Sequence, residues 1–187
     1  MKKIILISGK ARHGKDTLAI YLKNKLEANG NKVITDRFAK YIKGYLKDYY
    51  EWDGVTKDNF IRSKLQWLGT ERIKEDLNFK NFHAKRLAED IQIIYDDFDY
   101  VIISDTRFRD ELYYMKSMFP DECISVRVNR YDFISGLTEE QLKHKSECDL
   151  DNFNFDYTIH TRKSDVNQLY DEALRVLGKV LELREEE

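Results

Sequence analysis

Lys3 to Ser8 is an unbroken apolar run followed at once by Gly9-Lys10-Ala11-Arg12-His13-Gly14-Lys15, and Asp16-Thr17 then opens an amphipathic stretch. A short apolar strand, a loop of the form GxxxxGK and a helix in direct succession constrain the fold strongly, because each part depends on the other two. Glycines let the backbone wrap an anion closely, and the loop N–H groups and the positive end of the following helix both point at it. A lysine at the helix start adds a mobile positive charge for the β- and γ-phosphates of a nucleotide. Residues Gly9 through Thr17 are therefore expected to bind ATP or GTP. One position departs from the common form of this loop. The Ser or Thr that places a hydroxyl on Mg²⁺ usually follows the lysine directly; here Asp16 stands in its place and Thr17 comes one residue later.

The remaining pattern alternates strands and helices. Apolar strands are expected at 32–36, 100–104, 123–128 and 157–160. Helices are expected at 16–29, 39–50, 57–76, 82–96, 109–119 and 165–183, with a short one from Glu139. Near-continuous apolar strands separated by helices imply a three-layer α/β/α sandwich on a parallel five-stranded sheet. Ligands of such sheets sit at the carboxyl ends of the strands. Chain length, 187 residues, suits one domain. Its expected core comprises 1–38, 98–128 and 155–187, its helical insert 39–97 and its lid 129–151. The lid is the one long polar, irregular stretch, and it has to exclude water during phosphoryl transfer.

Composition narrows the class further. Charged residues make up 35% but nearly cancel, at a formal net charge of −2. That balance argues against a nucleic-acid or membrane surface as partner. Two cysteines, Cys123 and Cys148, form neither a metal-ligand spacing nor a disulfide framework. With no apolar N-terminal leader, a cytoplasmic location is expected. The Glu185-Glu186-Glu187 tail reads as a frayed end.

A second candidate site lies at the end of the strand Val101 to Ser104. Asp105 there can hold or order the hydration shell of Mg²⁺, and Arg107 can grip phosphate oxygens or pair with Asp110 or Glu111. Asp36 ends the second strand beside Arg37. It is either a base for a sugar hydroxyl or a cap on the helix entered at Ala39. Tyr41, Tyr45 and Tyr49 share one helical face, either as core or homodimer packing or as a stacking wall for a base. Glu147 and Asp151 read as ion-pair anchors of the lid. His144 reads either as a phosphate contact or as a solvated lid residue.

Taken together these segments resemble the phage-type deoxynucleoside monophosphate kinases, with animal-type phosphomevalonate kinase as a related branch. The resemblance rests on Gly9–Thr17 (GxxxxGKDT), Phe38-Ala39 with Lys43, and Leu65-Gln66 with Gly69-Thr70. It extends to Ser104-Asp105, Arg107-Phe108 and Glu111, and to His144, Ser146-Glu147, Leu150-Asp151 and Phe155-Asp156. It implies an ATP-dependent enzyme that moves the γ-phosphoryl group onto a nucleoside monophosphate. ATP and Mg²⁺ would be held by the loop from Gly9 to Thr17, with Asp16, Thr17 and Asp105 serving the metal, partly through water. Arg37, Lys43, Gln66 and Arg107 would face the acceptor. Lys15, Asp105, Arg107, Arg127 and Arg130 would act in transfer, the last two as arginines at the start of the lid. Lys74, His83 and His160-Thr161-Arg162 depart from the family's usual residues. Three alternatives remain open: a small-molecule phosphate kinase like phosphomevalonate kinase, a nucleoside kinase using Asp36, and a nucleotide-binding protein without transfer activity.

Overall fold

The structure is a computed structural model that describes residues 1–56, 58–131, 136, 138–162 and 165–183. Five strands, β1 (Lys3–Ser8), β2 (Val33–Asp36), β3 (Tyr100–Thr106), β4 (Cys123–Tyr131) and β5 (Tyr157–Arg162), form one sheet in the order β2-β3-β1-β4-β5. Every pairing is parallel. The first strand is thus central, flanked by β3 and β4, and the carboxyl ends of all three open on the same edge. The expected doubly covered parallel sheet is what the chain forms.

Period-two alternation explains how the sheet is covered. On β1, Ile5 and Ile7 face a layer built from α1 (Lys15–Ala28) and α8 (Val166–Leu177), packing with Leu18, Leu22, Leu169 and Ala173. Ile4 and Leu6 face the opposite layer, where α4 (Phe82–Ile93) and α5 (Arg109–Met118) contribute Leu87, Ile91, Leu112 and Met115. Side chains of successive strand residues point to opposite faces, so a strand covered on both sides must be apolar at every position.

Segments α2 (Lys40–Tyr50), α3 (Asn59–Gln66) and a π-helical run Trp67–Asp76 gather round a separate small core of Ile42, Leu46, Trp52, Ile61, Leu68 and Ile73. The sequence pattern predicts one helix over 57–76. Lys57 lies outside the described residues, and from Trp67 the chain widens into i→i+5 winding. Such winding is rare and concentrates at functional sites. Here it brings Gly69 against the Ile42 side chain, where a Cβ would meet Cδ1 at 3.1 Å.

β4 and β5 run further than the apolar pattern indicates, because their ladder continues through Arg130↔Thr161 and Tyr131↔Arg162. The polar stretch that follows contains α6 (Glu139–Lys143) and α7 (Lys145–Cys148). Residues 132–135 and 137 of the expected lid, and the tail 184–187, lie outside the described residues. α8 stops at Leu177 rather than Leu183, although Leu181 and Leu183 still bury in the core.

Candidate active site

Gly9 to Gly14 joins β1 to α1 as a tight loop over the sheet edge. Its shape depends on two glycines. Gly14, at φ 95°, begins α1 in the left-handed region. At Gly9 a Cβ would sit 2.6 Å from the Val128 carbonyl oxygen of the neighbouring strand, so a side chain there would displace β4. Lys15 lies inside the loop, with Nζ donating to the Gly9 carbonyl at 2.7 Å and the Lys10 carbonyl at 2.9 Å. Burial, reinforced by the nearby Arg107 charge, lowers its pKa to about 8.

Four carboxylates, Asp16, Asp105, Glu147 and Asp151, stand round this loop and its sheet edge. Asp16 Oδ1 accepts from Ser104 Oγ at 2.8 Å and from Arg37 Nη2 at 2.9 Å, tying the first turn of α1 to β3 and to the end of β2. Thr17 follows, half-buried, in the same turn. Asp105 accepts the Phe38 amide at 2.8 Å and the Ala39 amide at 3.1 Å, one on each oxygen. It thereby caps the chain entering α2, the role the sequence reading offered to Asp36. Asp36 instead accepts from its neighbour Arg37 N at 2.7 Å and from Lys40 Nζ at 2.5 Å. Burial pushes the Asp105 carboxyl above its usual range, against the Ala39 and Phe38 amides and the Arg107 and Lys43 charges.

The third carboxylate is Glu147. Its Oε2 accepts the Ala11 amide of the loop at 2.9 Å, and its Oε1 accepts from Arg107 Nη1. The Ser146 carbonyl also accepts from Arg107 Nη1, at 3.3 Å. Arg107 therefore pairs with α7 rather than with Asp110 or Glu111. Glu111 instead accepts the Arg107 and Phe108 amides at 2.8 and 3.1 Å, which shapes the turn between β3 and α5. Burial, partly offset by the Lys74 charge, pushes the Glu111 carboxyl up to about 7.

Arg127 is buried on β4, donating to Ser8 Oγ at 3.0 Å and to Asp151 Oδ1 at 3.2 Å. Asp151 Oδ2 accepts from Lys10 Nζ at 2.9 Å. Arg130 lies at the outer side of the loop, its backbone N–H donating to His13 Nδ1 at 3.2 Å and its Nη1 to the Arg12 carbonyl at 3.1 Å. Both arginines thus belong to the strand and the loop it supports. Glu147 and Asp151 bear out the reading of paired anchors for the segment that follows β4.

Beside the loop opens a cavity of about 310 Å³ bounded by Ala11, Asp105, Arg107, Glu147 and the helical insert. Phe38, Ile42, Leu65 and Phe108 give it apolar walls, and Arg62, Gln66, Thr70, His83 and His144 give it polar groups. Of the acceptor-side residues expected from sequence, Gln66 and Arg107 line this cavity, whereas Arg37 is turned to Asp16. Lys43 lies near enough to Asp105 for its charge to act there. Tyr41, Tyr45 and Tyr49 do not line it; Tyr41 donates to Asp90 Oδ2 at 2.7 Å, and Tyr49 is 74% exposed. Tyr41 and Tyr45 pack against the cores beside α2, Tyr49 is exposed, and none of the three forms a stacking wall for this cavity.

The sequence reading missed Arg62 and named Thr70 only as part of the resemblance, with no place in a cavity wall. Their spacing with Gln66, four residues each way, was the available signal, since positions four apart share a helix face. His144 joins the wall with its Nδ1 2.8 Å from Ser146 Oγ and its Nε2 3.6 Å from Glu71 Oε1. His83 is buried with Nε2 3.4 Å from the Gly69 carbonyl, and Lys74 Nζ lies 3.4 Å from the centre of the Phe108 ring.

Asp16, Thr17 and Asp105 are the residues offered for a cation. No group of three or more His, Cys, Asp or Glu side chains that could hold a metal occurs among the described residues. A cage built wholly by protein is thus not what the donor set offers. Mg²⁺ keeps most of its waters and takes its remaining ligands from phosphates and one or two protein oxygens, and the exposed Asp16 carboxylate and the Thr17 hydroxyl are oxygens of that kind in the first turn of α1.

A glycine-bounded loop after the central strand, a buried lysine at its end, and an arginine-lined cavity at the same sheet edge are the arrangement of an α/β protein of the P-loop NTPase fold. Comparisons with known proteins agree. The chain is 24% identical to the phosphomevalonate kinase of Drosophila melanogaster over 201 residues, covering 98% of this chain and 99% of that protein. The structure of Mycobacterium tuberculosis APS kinase in complex with AMPPNP and APS superposes with a TM-score of 0.52 at 11% identity, over 93% of this chain and 96% of that one. An unliganded sugar kinase from Janibacter sp. HTCC2649 superposes with a TM-score of 0.52 at 13% identity over the whole of both chains. No family model matches the sequence. Likeness at these identities establishes the fold. Among the described residues, no helix is long and apolar enough to cross a membrane.

Proposed function

We propose that this protein is an ATP-dependent phosphotransferase whose acceptor is a phosphate monoester, a deoxynucleoside or ribonucleoside monophosphate first. The observation that carries the reading is the placement of Arg107. It stands between the nucleotide loop and the adjoining cavity, where it can bind the acceptor phosphate beside the transferring group. A phosphate monoester is already anionic near pH 7, its second pKa being about 6. No strong general base is then needed, and catalysis reduces to positioning and charge neutralisation. An acceptor phosphate oxygen forms a bond to the γ-phosphorus as the β–γ bridging bond breaks, and ADP leaves with that electron pair. Lys15 offsets charge on the donor side and Arg107 on the acceptor side. Asp16, Thr17 and Asp105 would hold Mg²⁺ largely through water, and the bound ion would supply further charge neutralisation.

The choice of a nucleotide acceptor rests on the cavity walls. Phe38, Ile42, Leu65 and Phe108 offer apolar faces to a base, and Gln66 offers an amide able both to donate and to accept. The full-length similarity to a phosphomevalonate kinase favours a second reading, in which a small, polar phosphate ester fills the same space. The Asp36 base of a nucleoside kinase is the weakest of the three, because Lys40 and the Arg37 amide already engage that carboxylate. A coupled ADP-release assay with each nucleoside monophosphate and with mevalonate phosphate tests the proposal. Acceleration by one or more nucleoside monophosphates is expected; the same rate with every acceptor as with none would refute transfer altogether.

A further inference from the structure

Glu147 occupies the ground between donor loop and acceptor cavity. Its side chain is only 6% exposed, one oxygen is on the Ala11 amide, and the other is on Arg107. Both partners are groups that a phosphate would use: a loop N–H aimed at an anion, and a guanidinium facing the acceptor. Its charge also reaches Lys15. The contact is not incidental to packing, since the Ser146 carbonyl adds a second bond to Arg107 and Asp151 ties the same segment to Lys10 and Arg127. A carboxylate in that position and a phosphoryl group arriving there would be like charges in a poorly solvated space, which is strongly unfavourable.

We infer that Glu147 is an intramolecular stand-in for phosphate, a tether that must leave the Ala11 amide and Arg107 before donor and acceptor are both seated. The inference rests on reading the loop as the ATP site and adds regulation to it. While the tether holds, Arg107 is neutralised and the loop amide is satisfied, so ATP bound alone meets an incomplete transfer site and is spared hydrolysis. Arrival of the acceptor phosphate replaces one anion by another on Arg107. Because a ligand's apparent affinity scales with the fraction of protein already competent to bind it, removing the tether tightens phosphate binding.

The test is calorimetric titration of the full chain with ATP and, separately, with pyrophosphate. Wild type is compared with Glu147→Gln, with Glu147→Asp, which is too short to span both partners, and with Glu139→Gln. The last removes the same charge from the same segment at an exposed pair with Lys143. Tightening of about tenfold is expected for Glu147→Gln, which corresponds to a tether closed in roughly nine molecules of ten. Glu147→Asp should tighten less and Glu139→Gln not at all. Acceptor-independent ATP hydrolysis should rise in Glu147→Gln. Circular dichroism and melting curves establish that each variant is folded. Hydrogen exchange of wild type alone covers the case in which the variants do not fold: pyrophosphate should speed exchange at residues 145–148. Folded Glu147 variants that bind no tighter than wild type, or slower or unchanged exchange over 145–148, would overturn the inference. Transfer to no acceptor at all, with binding tightened as expected, would defeat the proposed function and leave the tether standing.

Discussion

Asp105 holds Phe38: one oxygen takes the Phe38 amide at 2.8 Å while the other takes the amide of Ala39 at 3.1 Å. A strand-end carboxylate beside the glycine–lysine loop is thereby also the cap of the helix that walls the adjoining cavity. Asp105→Ala leaves two amides at the α2 entrance without their acceptor. We expect a stability loss of about 2 kcal/mol, measured by urea unfolding, together with weaker acceptor binding. Asp105→Asn keeps only an oxygen acceptor on one side and should lose about half as much stability. A variant that unfolds like wild type would mean that the cap contributes nothing.

Arg107 and Asp36 give opposite expectations. Arg107→Ala removes the cation between loop and cavity and should lower kcat/KM by several kcal/mol, on the order of a thousandfold. Asp36→Ala breaks a bond to Lys40 and one to the Arg37 amide. It should change stability by about 1 kcal/mol and turnover by less than about tenfold. Steady-state kinetics of the two variants decide between phosphate and hydroxyl acceptors, and a collapse of kcat in Asp36→Ala with Arg107→Ala mild would reverse the assignment.

Much of this was legible from residue order alone. The apolar run 3–8 with the glycine–lysine loop, and strands ending at Asp36, Asp105 and the Arg127 region, prescribe the parallel sheet and the edge at which the loop and the cavity lie. What could not be read was which partner each charge takes. Arg107 has Asp110 and Glu111 close by in sequence, yet pairs with Glu147 forty residues on, because Glu111 is consumed by the Arg107 and Phe108 amides. Asp36 looked equally suited to cap α2, but Asp105 on the neighbouring strand reaches those amides. The break at Trp67 into π-helical winding is equally tertiary, since helix propensity from Leu65 to Asp76 gives no reason for it.

His83 supplies a pH dependence. Burial, with the Lys74 charge adding to it, lowers its pKa from the ordinary 6.5 to about 4. Between those values the unfolded chain binds a proton that the folded chain does not, so folding stability falls as pH drops from about 6.5 to 4. A tenfold difference in proton affinity between the folded and unfolded chain is worth about 1.4 kcal/mol, so the contribution approaches ~3 kcal/mol at the acid end. His83→Phe removes this titration. The gap between wild type and His83→Phe in urea unfolding should widen in the variant's favour as pH falls through that window, and a gap independent of pH would contradict the assignment.

Asp156 locks β4 to the chain entering β5, accepting from Ser125 N and Ser125 Oγ at 2.7 Å each and from Lys116 Nζ. Although burial opposes it, those bonds hold its carboxyl below the ordinary range. Its contribution is therefore present above the unfolded carboxylate pKa and is lost as pH falls through the lower folded value. Asp156→Ala should cost about 1–3 kcal/mol at pH 7 and leave the ratio of turnover among acceptors unchanged, read by thermal melts beside the acceptor assay.

Movement of a phosphoryl group from ATP to another phosphate is the reaction this site is built to perform if Arg107 binds the acceptor. The direct measurement follows ATP labelled in its γ-phosphate, incubated with Mg²⁺ and each nucleoside monophosphate, with products separated by chromatography. Label should appear in a nucleoside diphosphate, at a rate that Arg107→Ala reduces on the order of a thousandfold. Label appearing only as inorganic phosphate, whatever acceptor is present, would contradict transfer to a phosphate.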